Sequence, residues 1–97
     1  MSPKTEILTK IRQHSDELKN YGVKKVGLFG SFARLGQNSK SDVDILVEFC
    51  KGDKTFDNYM ELKFYLEQLF HRKVDLVIKD ALKARIKKQV LSEVEYA

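Results

Sequence analysis

Gly30 and Ser31, then ten residues, then Asp42-Val43-Asp44, and finally Asp75 are the positions in this 97-residue chain whose types and spacing could do chemistry. In an extended strand, residues two apart project to the same side, about 6.5 Å from each other. Asp42 and Asp44 would therefore offer two carboxylates to one side of a sheet, with Val43 facing the core between them. Like charges this close repel unless a cation lies between them or water solvates both. Oxygen-only ligands suit a hard ion, and magnesium typically takes one or two carboxylates together with phosphate oxygens and water. Asp75 sits among Val74, Leu76 and Ile78, so its side chain faces away from the core, where Asp42 and Asp44 could also point. Three such carboxylates can hold two magnesium ions about 3.5 to 4 Å apart, one activating a hydroxyl and one clamping a triphosphate. Gly30 would let backbone approach a phosphate, and Ser31 offers a hydroxyl and N–H groups at the start of a helical turn. Arg34, further along that turn, can reach the same anion or stand simply as an exposed arginine. Taken alone, Asp-x-Asp on a strand is more often a solvated acidic face than a metal site.

The elements that must position these residues can be read from periodicity. Ile7, Leu8, Ile11, Leu18 and Tyr21 form one stripe at helical spacing, which predicts an amphipathic helix from Pro3 to Tyr21. Ser2 can cap it, Pro3 suits its first turn and Gly22 can end it. Val23 to Phe29 reads as a strand, and Gly30 to Ser41 as loop, one helical turn and loop. Asp42 to Phe49 alternates, with Val43, Ile45 and Val47 on one face and the acids on the other. Tyr59, Leu62, Leu66, Leu69 and Phe70 mark a second long helix reaching about His71. Val74 to Ile78 is a third strand, which a right-handed crossover would place parallel to the second. Asp80 is expected to cap a third helix with Leu82, Ile86 and Val90 inward, and Glu93 to Ala97 to fray or add an edge strand. The expectation is one α/β (α+β) domain spanning 1–97, a small mixed sheet backed by helices.

The segment from Lys24 to Phe49, KKVGLFGSFARLGQNSKSDVDILVEF, resembles the minimal nucleotidyltransferase family of the DNA polymerase beta-like superfamily. That family's motif is Gly-Ser, ten residues, Asp-x-Asp, and a third carboxylate on a later strand. Gly30, Ser31, Asp42, Asp44 and Asp75 match it, and the likeness covers almost the whole chain. The resemblance implies the nucleotidyltransferase fold, with the three acids binding two magnesium ions and acting in catalysis, and Gly30, Ser31 and Arg34 holding ATP. Leu35-Gly36 stands where the family often carries glycine or an acid, a departure that concerns loop shape. The resemblance further implies a toxin–antitoxin pairing in which AMP is transferred to a tyrosine of a helical HEPN-class partner. The alternative is an antitoxin that neutralises its partner by binding alone.

Composition is consistent with this reading and excludes others. Apolar residues are 42% and charged residues 33% of the chain, ordinary for a globular domain. No apolar run approaches the roughly 18 residues a membrane span needs, and MSPKTEILTK is too polar for a signal peptide, so the cytosol is the expected location. Cys50 has no second cysteine for a disulfide or zinc site. His14 and His71 lack partners at ligand spacing, and surface or helix-end roles are expected for them. The net charge of +4 suits an anionic partner, yet direct nucleic-acid binding is not expected. Lys79, Lys83, Arg85, Lys87 and Lys88 read as a solvated face, or as a border to nucleotide or an RNA-bearing partner. Phe56, Tyr59, Tyr65 and Phe70 are expected mostly in the core, with Phe64 on a contact surface. An aminoglycoside-type acceptor would need a further substrate-binding domain, for which these residues leave no room.

Overall fold

The computed structural model describes residues 2–33 and 42–97. Helix α1 (Pro3–Gln13) begins where Ser2 Oγ accepts the Thr5 N–H at 3.2 Å, with Pro3 in the first turn. The helix expected to run to Tyr21 breaks at His14, whose φ of −112° and ψ of 22° are not helical. Its ring Nδ1 lies 2.8 Å from the Lys10 carbonyl, and α2 (Ser15–Lys19) resumes beyond it. Strand β1 (Val23–Phe29) follows, then the single turn α3 (Gly30–Ala33) and β2 (Val43–Phe49). Thr55 caps α4 (Phe56–Phe70), and β3 (Val74–Ile78) comes next. A 3-10 turn (Lys79–Ala81), α5 (Ala84–Glu93) and β4 (Glu95–Tyr96) complete the described elements.

The sheet order is β3-β2-β1-β4, with β2 and β3 parallel and the other pairings antiparallel. One face carries Val26, Leu28, Val43, Ile45, Val47, Val74 and Leu76 into the main core. Ile7, Leu8, Ile11 and Leu18 from the first two helices, and Leu62, Leu66 and Phe70 from α4, complete it. On the other face Tyr96, Gly27 and Leu46 share a register row, and a Cβ on Gly27 would lie 2.6 Å from Val94 Cγ2. Leu46 and Val90 are buried outside the main core, as expected if α5 crosses this second face.

Three expectations need correction. Asp80 caps no long helix: it lies in the 3-10 turn, and α5 starts four residues later behind Lys83, which makes no side-chain cap. Ile86, in the first turn of α5 and one turn before the buried Val90, is left 44% exposed. Phe56, expected in the core, is 74% exposed: it is the first residue of α4 and precedes the buried residues Leu62, Leu66 and Phe70. Phe64 is exposed as expected.

Candidate active site

Gly30 closes β1 with φ at 73° and is itself buried. A Cβ at this position would collide with Asp44 Oδ2, so the backbone of the Gly30-Ser31 turn and the Asp44 carboxylate are pressed together. Positive φ costs a side-chain-bearing residue about 1 to 2 kcal/mol, and glycine meets both demands. Ser31 follows, half-buried, and Phe32 roots the turn in the core with 1% of its surface exposed.

The register brings the acids to the same end of the sheet. Asp44 sits opposite Phe29 on one side and opposite Asp75 on the other. Neighbouring strands lie about 4.8 Å apart, and partners in a parallel register point the same way. Asp42 is exposed and lies one residue before β2 begins. The Val43 N–H, between the two aspartates, donates to the Lys73 carbonyl at 2.9 Å and ties the entry of β3 to this motif. Gly30, Ser31, Asp42, Asp44 and Asp75 thus share one edge of the molecule, while Arg34 lies outside the described residues.

Among the described residues no three His, Cys, Asp or Glu side chains are grouped tightly enough to hold a metal ion by themselves. The donor set still suits magnesium, which completes its shell with phosphate and water: all its atoms are carboxylate oxygens, on strand ends in register. The first part of the basic cluster lies apart from the acids. β3 runs away from the acids, and α5 returns to place Glu95 opposite Leu28, so Lys79 to Arg85 lie toward the remote end of the sheet. Lys79 Nζ there lies 3.6 Å from Glu48 Oε1. Sequence reasoning passed over Arg72, whose guanidinium carbon lies 5.1 Å from the centre of the Phe32 ring. Its position three residues before Asp75 was the available signal.

A mixed sheet with a Gly-Ser turn after its first strand and acids at the entries of the next two defines a nucleotidyltransferase fold. Residues 11–97 match the nucleotidyltransferase domain model, and the chain belongs to that family. It is a nucleotidyltransferase. Protein adenylyltransferase MntA of Thermococcus cleftensis is 44% identical over 92 residues, covering 94% of this chain and 92% of that one. A solved structure described as a candidate minimal nucleotidyltransferase superposes with a TM-score of 0.81 at 33% identity, covering 98% and 95% of the two chains. A complex of tri-AMPylated Shewanella oneidensis HEPN toxin with MNT antitoxin contains a chain of the same fold, with a TM-score of 0.66 at 20% identity. That match covers 93% of this chain and 70% of the other.

Proposed function

We propose that this chain is a cytosolic protein adenylyltransferase that moves AMP from ATP to a tyrosine hydroxyl of a HEPN-class partner. The observation that carries the reading is the contact between Gly30 and Asp44, with Asp75 in register beside it. It sets a phosphate-binding turn directly against an acidic strand edge. The relative named MntA supports a protein acceptor, and the AMPylated complex supports a HEPN partner.

In this reading the Gly30-Ser31 turn binds the triphosphate through backbone N–H groups and the Ser31 hydroxyl. The acceptor oxygen forms a bond to the α-phosphorus, the bond from that phosphorus to the bridging oxygen breaks, and pyrophosphate leaves. Asp75, exposed at the strand edge, takes the hydroxyl proton. Asp42, Asp44 and Asp75 would hold magnesium, which when bound supplies positive charge against the triphosphate. Arg34 is assigned to the nucleotide on the strength of the motif alone.

The test is to incubate the chain with a HEPN-class protein from the same genome and ATP labelled at either the α- or the γ-phosphate. Label from the α position should appear on a partner tyrosine, and label from the γ position should not. Neutralisation of the partner with no α label on it would establish stoichiometric binding instead.

A further inference from the structure

Arg72 lies outside the motif, yet it stands against Phe32 beside Ser31 and three residues before Asp75. His71 ends α4 in the left-handed conformation, with φ at 54°, and turns the chain sharply into Arg72 and Lys73. The next residues are held from both sides: Glu67 Oε2 accepts the Val74 N–H at 3.0 Å, and the Lys73 carbonyl accepts the Val43 N–H at 2.9 Å. Arg72 is therefore presented from a constrained corner, three residues before Asp75. Its guanidinium stands over Phe32, 5.1 Å from the ring centre. Phe32 directly follows Ser31 and anchors a helical turn only four residues long. Such a turn cannot sustain itself by its own hydrogen bonds, so what holds Phe32 holds Ser31.

We propose that Arg72 is a positioning residue for ATP: it clamps Phe32 and so fixes the Gly30-Ser31 turn relative to Asp44 and Asp75. A guanidinium is attracted to an aromatic face, more strongly where water is partly excluded, and it keeps its charge across the working pH range. Pro3, Glu6, Ile7 and Lys10 of α1, with Phe70, line a cavity of about 110 Å³ beside the pair, which places the contact at the partly sheltered margin of the core. The inference rests on the nucleotide-binding reading of Gly30 and Ser31.

The experiment has two arms. In the first, without nucleotide, amide hydrogen exchange at Phe32 and Ala33 is compared between wild type and Arg72→Met, which keeps the apolar stem and removes the cation. Exchange should quicken about three- to tenfold at these two amides while the β2 amides stay protected. In the second arm, Arg72→Met should raise both the Kd and the KM for magnesium-ATP about three- to tenfold and leave kcat within twofold. Arg72→Lys should recover part of that loss, because it restores a cation. Combining Arg72→Met with Phe32→Leu should add little beyond Phe32→Leu alone, since the first acts through the second.

Unchanged exchange in Arg72→Met, additive losses in the double variant, or no recovery by lysine would each overturn the clamp. A fall in kcat at constant KM would overturn it too, by placing Arg72 at the reacting atoms. Wild-type protein that failed to bind magnesium-ATP would sink the functional reading instead, and with it the proposed role in nucleotide binding. The exchange arm would still report whether Arg72 holds the turn.

Discussion

Gly30→Ala should damage both stability and activity, and Gly52→Ala separates the two effects. Both glycines have positive φ, 73° and 86°, so alanine at either position meets a left-handed backbone penalty of about 1 to 2 kcal/mol. A Cβ on Gly52 meets no heavy atom within 4 Å, whereas one on Gly30 collides with the Asp44 carboxylate. Gly30→Ala must therefore also displace a packed group, which typically costs about 1 to 3 kcal/mol more. The expected totals are about 1 to 2 kcal/mol for Gly52→Ala and about 2 to 5 kcal/mol for Gly30→Ala. For a domain of this size each kcal/mol lowers Tm by about 4 to 8 °C. Activity should split more sharply, because moving a reacting group by about 1 Å can cost on the order of 100-fold. The assay is a thermal melt of each variant, followed by initial AMP-transfer rates at a temperature where all are folded. A Gly30→Ala rate within threefold of the Gly52→Ala rate would refute the argument that Asp44 and the phosphate turn must be in contact.

Asp75→Asn should bind magnesium-ATP within about threefold of wild type, while its single-turnover rate falls about 10²- to 10⁴-fold, the range typical of a lost general base. Equal loss of affinity and rate would make Asp75 a plain metal ligand. The Tyr65 hydroxyl donates to Glu17 Oε2 at 2.8 Å, and burial first, then this carboxylate, push its phenol up to about 12. The unfolded phenol ionises near 10, so this contribution to stability is complete below about pH 10 and is lost as pH rises toward 12. Allowing for solvent screening at a partly exposed site, about 1 kcal/mol should vanish across that window. Tyr65→Phe should lose stability at neutral pH and show a shallower decline than wild type above pH 10 in denaturant titrations. Parallel declines would remove the assigned role of this hydrogen bond.

The strands were legible because a half-buried strand writes itself as alternation. Val43, Ile45 and Val47 against Asp44 and Glu48 gave both the extent of β2 and its acidic face. The parallel pairing with β3 followed from an intervening helix too long for a hairpin, and it set Asp75 beside Asp44. Less legible were features that depend on where a helix meets the sheet. The break at His14 leaves the apolar stripe nearly in phase, so periodicity reads straight across it. Asp80 has the chemistry of a cap, but the chain must first turn out of β3 before it can cross the second face, and the turn consumes Asp80. Phe56 is aromatic and at helical spacing, yet it precedes the first buried turn. At the site, the motif shows which residues assemble but not what steadies them. Arg72 and Phe32 are 40 positions apart, and only the fold sets one over the other.

The central claim is that an acidic strand edge beside a Gly-Ser turn performs AMP transfer, and Asp44→Asn tests it most directly. Asparagine keeps the shape of the side chain pressed against Gly30 and removes its negative charge, so the fold should persist. The measurement is the rate at which α-phosphate label passes from ATP to the HEPN-class partner at saturating magnesium. The account predicts less than a hundredth of the wild-type rate in a folded variant. More than a tenth of the wild-type rate would contradict it.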